Sequence, residues 1–277
     1  MFLFFLLVSG CKDESFPILK LSSVPDENQK EMARIYKPLA RYLTQKLGMP
    51  VEFVPVVDYA DIVEGIVEKR LDIVRCGGLT SVQIKAKSEG AQRLVMRKED
   101  NQVRSIFITR LDTGIVTLDD LKGKTFTFGS VASTSAHLMP RYFLLKNGID
   151  PDKDFRIEPS YSGLHDTTVL WVERGKVDAG VLSVEAWEKL VKKGKVDKKT
   201  VVAFWTSPVY VDYVWMIPEG LDKEIAQKIE QSFLELRYDK EEQKKLLILL
   251  GTNGFISAND DEWEKIEKAA WSTGFLN

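Results

Sequence analysis

Apolar positions past residue 17 fall into two alternating patterns. Residues 18–24 and 51–57 are short runs rich in Leu, Ile and Val, as strands are. Between them Met32, Ile35, Tyr36, Leu39, Leu43 and Leu47 recur at three-to-four spacing. That spacing predicts a helix over 29–47, closed by Gly48. Asp58 reads as the N-cap of a second helix running to about Lys69, and 71–74 as a third strand. Strand and helix in this order, with short connections, predict a parallel sheet covered by helices.

The pattern restarts near residue 110. Residues 105–109 read as an apolar strand, 118–122 as a short helix, 126–128 as a strand and 133–147 as a helix. Alternation continues through 155–158, 165–174 and 177–182, then 201–205 and 211–217. From Leu221 onward the chain reads as largely helical, and the apolar stretch Leu246 to Leu250 is too short to cross a membrane. There is no linker, repeat or low-complexity stretch between the halves. Two α/β lobes crossed by two strands would produce this pattern. The crossings are expected at 105–110 and 212–217, with lobe one formed by 18–109 plus 214–277 and lobe two by 110–213.

The first residues follow neither pattern. Residues 1–8 (MFLFFLLV) are almost purely apolar, too short to span a bilayer but matching the core of a secretory signal. Val8, Ser9, Gly10 and Cys11 then resemble a bacterial lipobox, in which the cysteine is diacylated and becomes the new N-terminus. The expectation is a signal over 1–11, lipid on Cys11 and a polar tether over 12–17. An ordinary buried first strand is the alternative. A basic start is missing, which suggests that translation begins upstream.

Composition narrows the function. A formal charge of −2 over 277 residues argues against a broad nucleic-acid surface, which needs clustered Lys and Arg. Lys192, Lys193, Lys198 and Lys199 sit among acids and read as solvated faces. With two cysteines and two histidines, neither a metal site nor a redox pair is expected. Cys76 reads as a small buried residue. No nucleotide-binding glycine motif and no hydrolase GxSxG is present, so neither a cofactor nor an enzyme is expected.

The strongest local chemistry is Gly129-Ser130-Val131-Ala132-Ser133-Thr134-Ser135, where a strand ends and a helix begins across a run of hydroxyls. The first N–H groups of a helix lack internal partners and sit at the positive end of its dipole, so an anion placed there meets aligned donors. Ser133 acting only as a helix cap is the alternative. His165 opens the next helix after the Gly163 turn, where it can reach an oxyanion or simply lie on the surface. Glu185 and Asp212 flank apolar strands, where crevices form in α/β sheets, although solvated carboxylates occur there too. His137, two residues past Ser135, turns away from that face and reads as structural.

Taken in order, the landmarks resemble a known family. They are Tyr36-Lys37-Pro38-Leu39-Ala40-Arg41-Tyr42-Leu43, Val57-Asp58-Tyr59-Ala60, Leu118-Asp119-Asp120-Leu121-Lys122-Gly123-Lys124, Ser133-Thr134-Ser135, Pro140-Arg141-Tyr142, Gly148-Ile149-Asp150-Pro151, Gly163-Leu164-His165-Asp166 and Gly175-Lys176-Val177-Asp178-Ala179-Gly180. Over about 18–235 they resemble the phosphate, phosphite and phosphonate-binding proteins of ABC importers (PhnD-like).

The resemblance implies the type II periplasmic-binding fold, two α/β lobes around a ligand cleft. It implies that Ser133, Thr134 and Ser135 grip phosphorus-bound oxygens, that His165 contacts them and that Tyr59 lines the pocket. In members that bind aminophosphonates two acids hold the ligand ammonium, and by spacing these fall at Glu185 and Asp212. Implied partners are a small oxyanion and the permease and ATPase subunits of an importer. The implied protein is a monomer in the cell envelope, lipid-anchored on the extracytoplasmic side. A sensor reporting ligand to a signalling partner is the alternative function. Three departures mark the pocket wall. Cys76-Gly77-Gly78-Leu79-Thr80-Ser81 replaces the family's Phe-Gly-Pro-Leu-Ser-Tyr, Val103-Arg104 stands where a pocket tyrosine is common, and Ser130-Val131 replaces an Asp-Pro.

Overall fold

The computed structural model describes residues 17–276; the apolar start, Cys11 and most of the tether lie outside them. Two sheets form. In the first, β1 (Leu19–Ser23) lies between β2 (Val51–Phe53) and β3 (Ile73–Cys76), all parallel. Their connections are α1 (Gln29–Leu47) and α2 (Tyr59–Val67). Asn28 caps α1 by accepting from the Glu31 N–H, and Gly48 ends it at φ 69°, a conformation that glycine adopts without strain. The helix buries Met32, Tyr36, Leu39, Ala40 and Leu43, the stripe set by its apolar spacing.

The sheet is mixed, not wholly parallel as expected. β10 (Val214–Ile217) inserts antiparallel between β3 and β4 (Gln92–Arg97), and β11 (Phe255–Ser257) adds antiparallel to β4. The chain returning from the other lobe enters from the opposite end, which reverses its direction in the sheet. α3 (Gly78–Lys87), α7 (Lys223–Leu234), α8 (Glu241–Leu250) and α9 (Glu264–Ser272) complete this lobe.

The second sheet runs β7 (Ser160–Tyr161), β6 (Phe126–Phe128), β8 (Ala179–Ser183), β5 (Ser105–Arg110), β9 (Val201–Thr206). It carries α4 (Met139–Lys146), α5 (His165–Glu173) and α6 (Val184–Lys192). Residues 155–158 form no strand; Phe155 instead stacks on Phe126 in the core, with ring centroids 5.0 Å apart, and pairing starts at Ser160.

The expected first crossing is corrected. β5 pairs along its length with β8 and β9, so 105–110 belongs to lobe two and the crossing segment is 98–104. The return crossing is 207–213, and β10 already belongs to lobe one. The two segments bond to each other. Val103 N–H donates to the Tyr210 carbonyl (3.1 Å), Tyr210 N–H to Val103 (3.0 Å), and Asp212 N–H to Asp100 (2.9 Å).

The lobes touch beyond the crossings. One core cluster joins Leu138, Met139 and Phe143 of lobe two to Leu79, Val82, Trp263 and Ile266 of lobe one. His137 is buried beside it, its ring 4.8 Å from that of Phe275. Nδ1 lies 2.7 Å from the Val131 carbonyl, which can only accept, so Nδ1 carries the proton. Nε2 then accepts from Arg141 Nε (3.2 Å) and the Tyr161 hydroxyl (3.1 Å). The neutral ring is fully satisfied, as expected for a structural residue. Burial pushes its pKa down to about 4.

Between that value and the ordinary histidine pKa near 6.5, only the unfolded chain binds the proton, so this contribution to stability fades as pH falls through that window. His137→Gln should cost about 1–3 kcal/mol at neutral pH and lose less stability than the wild type on acidification. Thermal melts across pH check this; parallel curves for the two proteins would exclude a neutral buried imidazole.

Candidate functional site

The hydroxyl run sits where β6 gives way to a helical turn. Gly129 permits the approach, since a Cβ there would lie 2.5 Å from that of Ala136. Ser133 is the N-cap, with extended backbone (φ −80°, ψ 133°) and a hydroxyl accepting from the Ala136 N–H at 3.1 Å. The turn from Thr134 to Leu138 is a single π turn, a form found often at functional sites, and α4 continues it. Ser133 therefore caps, as the alternative reading held, but its own O–H remains a donor.

The two neighbours behave differently. Thr134 reaches the other lobe: its Oγ1 accepts from the Leu79 N–H at 2.9 Å and lies near the Asp212 carboxylate across Gly77. Ser135 is fully buried and its Oγ has no hydrogen-bond partner among the described residues. Its carbonyl accepts from the Ser105 hydroxyl (2.7 Å), so the Tyr210 hydroxyl must donate to Ser105 (2.6 Å). This relay ties the run to the start of β5 and to the return crossing.

Asp212 lies under the start of α3. Its Oδ1 accepts from the Gly78 N–H (2.8 Å) and the Tyr213 N–H (2.9 Å). α3 has no side-chain cap of its own, so a carboxylate from the crossing meets its positive end. Burial raises the Asp212 pKa to about 6, against the pull of those donors and Thr134. Gly77 and Gly78 make the approach possible. A Cβ on Gly77 would lie 3.1 Å from Thr134 Oγ1 and 3.2 Å from Asp212 Oδ1; one on Gly78 would lie 3.1 Å from Thr134 Cγ2.

His165 opens α5 after Gly163 (φ 81°). It is half-buried, its Nδ1 is buried without a partner, and burial lowers its pKa. The acids of lobe one, first Asp26, act against that shift. Tyr59 begins α2 behind the Asp58 cap, packs against the interlobe core, and is pushed to a higher pKa by burial, then by Asp26 and Asp212. Tyr59 packs against the cluster that holds Val211, the residue before Asp212. Glu185 instead pairs with a guanidinium of the other lobe, Arg97, at 3.2 and 3.5 Å. Burial acts to raise its pKa, but Arg97 outweighs this and the net shift is downward.

Five residues that no sequence motif marks stand nearby: Arg75, Asp26, Arg97, Asp100 and Tyr213. Arg75 and Arg97 are buried at the ends of β3 and β4. Arg75 pairs with Asp26 (3.0 Å) and Arg97 with Asp100 (2.6 Å). The Tyr213 ring lies 3.9 Å from the Arg75 guanidinium and 6.0 Å from that of Arg97. Tyr213 also holds φ at 34°, unusual for a residue other than glycine. An arginine inside Ile-Val-Arg-Cys was the available signal, because a charge in a fully apolar strand needs a buried partner.

The chain matches the family described as the phosphonate periplasmic substrate-binding protein of ABC transporters, over residues 21–263. It belongs to this family. The match takes in both sheets and both crossings. Among curated phosphonate-family relatives, it is 29% identical to the probable ABC transporter phosphite-binding protein PhnD1 of Prochlorococcus marinus, covering 91% of this chain and 88% of that one. It is 28% identical to the phosphate-import protein PhnD of Mycolicibacterium smegmatis, over 83% and 78% of the two chains. The structure of the Prochlorococcus protein with methylphosphonate superposes with a TM-score of 0.87 at 29% identity, covering 94% of this chain and 99% of that one. The phosphonate-binding family comprises transport proteins, not enzymes, which favours transport over the sensor reading.

The two glycines carry a testable consequence. A Cβ at either position forces a tight interlobe contact, and overpacking of this kind costs about 1–3 kcal/mol. That is enough to shift the closed population by about tenfold. Gly77→Ala with Gly78→Ala should enlarge the radius of gyration in solution scattering while each lobe keeps its secondary structure. An unchanged radius would exclude direct apposition of these elements.

Proposed function

We propose that this protein captures a phosphorus oxyanion between its lobes and presents it, closed, to the permease of an ABC importer. The observation that carries the reading is Ser135, a fully buried hydroxyl at a helix start without a partner among the described residues. Buried polar groups are almost always satisfied, so an orphan of this kind points to a missing acceptor. The hydroxyls of Ser133 and Ser135 and the first amides of the turn would donate to ligand oxygens. His165 and Tyr59 would close the remaining sides. Thr134 would contribute its amide while its hydroxyl oxygen keeps the lobes in register through the Leu79 amide.

Neutral donors suit the task. They bind an anion without a net positive charge that would need its own partner once the ligand leaves. In a dry cleft each hydrogen bond to a charged oxygen contributes about 1.5–3 kcal/mol. Closure follows because ligand bound to both walls favours the closed population.

Ser135→Ala separates a binding role from a structural one. An unsatisfied buried hydroxyl is a cost to folding, so the alanine variant should melt at the same temperature or higher. Its affinity for methylphosphonate in calorimetry should fall by about tenfold or more. Full affinity in a stable variant would remove the hydroxyl run from the site.

The protein would work as a monomer held at the extracytoplasmic face by lipid on Cys11, which lies outside the described residues. The lipobox-like Val8-Ser9-Gly10-Cys11 supports this. Two acyl chains give stable anchoring, at about 0.8 kcal/mol per buried methylene. Cys11→Ala should move the protein from the membrane to the soluble fraction on cell fractionation; continued retention would overturn lipidation.

A further inference from the structure

The carboxylates around the cleft already have partners from the chain itself. Glu185 accepts from both terminal nitrogens of Arg97, at 3.2 and 3.5 Å. Asp212 accepts from the amides of Gly78 and Tyr213, at 2.8 and 2.9 Å. Asp26 is bound by Arg75 at 3.0 Å, Glu27 by Lys189, and Asp166 accepts from the Thr167 amide at 2.8 Å. Behind these acids stand two buried guanidiniums against one ring, that of Tyr213.

A cationic ligand group entering here would have to take a carboxylate from a guanidinium or from a helix start. Taking Asp212 from its amides leaves a buried N–H without its partner, the costly outcome for a polar group removed from water; taking Glu185 from Arg97 breaks the interlobe pair, Arg97 keeping Asp100. It would also lie close to two fixed positive charges. An uncharged substituent meets neither obstacle.

We infer that this cleft selects phosphorus oxyanions without a cationic tail, and that Arg97, by holding Glu185, is the residue that sets the selection. The inference rests on the reading that the oxyanion binds between the lobes. It gives Glu185 a new role. The carboxylate that the family resemblance assigned to a ligand ammonium serves here as the other half of an interlobe ion pair.

The test uses an isosteric pair, ethylphosphonate and aminomethylphosphonate, which differ by a methyl against an ammonium. Methylphosphonate serves as the reference ligand, and calorimetry on the mature chain reads all three. The wild type should bind ethylphosphonate at least about tenfold more tightly than aminomethylphosphonate. Glu185→Gln, on a largely exposed side chain, should weaken both alike and leave their ratio within about threefold. Arg97→Gln, which frees Glu185, should narrow the ratio by about tenfold.

A wild-type ratio below tenfold would overturn the inference. So would a Glu185→Gln variant that weakens aminomethylphosphonate alone, or a folded Arg97→Gln variant with the ratio intact. If methylphosphonate binds but neither isostere does, size and not charge sets the limit, and Arg97 loses its role. If none of the three binds, the oxyanion reading itself falls. Should Arg97→Gln fail to fold, the wild-type ratio and Glu185→Gln still decide.

Discussion

A single buried carboxylate, Asp212, joins the parts of this molecule that must move relative to each other. It sits on the return crossing, accepts from the first amide of α3 in lobe one and from the Tyr213 amide, and lies beside Thr134 of lobe two. An isolated carboxylate in an apolar interior costs several kcal/mol, so these donors are a condition of the closed arrangement. Opening the lobes takes Thr134 from the Leu79 amide and admits water in its place. The exchange is close to balanced, as a protein whose ligand decides between open and closed requires. Burial nevertheless raises the Asp212 pKa to about 6, against the pull of the Gly78 and Tyr213 amides.

The walls on either side solve the problem of charge differently. Lobe two offers hydroxyls and helix amides around Ser133 to Ser135, neutral groups that can lose an anion without leaving a bare cation. Lobe one carries real charges, but each is matched: Arg75 with Asp26, and Arg97 with Asp100. Removing one partner of such a buried pair costs about 3–5 kcal/mol, so these residues are fixed features of the cleft. Tyr213, packed on both guanidiniums with positive φ, is held by that charged wall and by the Asp212 carboxylate that its own amide donates to.

Much of this was legible in the chain because local rules and tertiary packing agree there. The apolar spacing of α1 matches its buried face, and Asp58 and Ser133 cap the helices whose starts they mark. Agreement fails where packing overrides propensity. α3 opens with Gly-Gly-Leu-Thr-Ser, a poor helix start by composition, and is stabilised by Asp212 and Thr134 from far along the chain. β4 contains Arg93 and Arg97, whose partners Asp260, Glu267 and Asp100 lie on other elements. The crossing was read too late because β5 is an ordinary apolar strand, and apolarity does not say which sheet a strand joins. At the site, the hydroxyl run was visible as a pattern. The pairing of Glu185 with Arg97 was not, since the two stand 88 residues apart.

The rim contacts explain why a ligand is needed at all. α6 presents Glu185 and Lys189 one turn apart, and they bond Arg97 and Glu27 on the opposite lobe. The signs alternate, so the two pairs favour one register of closure without adding net charge to the rim. Both pairs have an exposed partner, and exposed ion pairs contribute about 0–1 kcal/mol each and weaken in salt. Together they orient the lobes but cannot hold them shut. Moving a two-state equilibrium from 1:99 to 99:1 takes about 5.5 kcal/mol of differential binding. Two to three charge-assisted hydrogen bonds, at about 1.5–3 kcal/mol each, reach that figure. Under the proposed reading, an oxyanion completes closure when its oxygens meet strong donors from both walls. An anion contacting only the hydroxyl run would bind lobe two and leave the population of lobe arrangements unchanged.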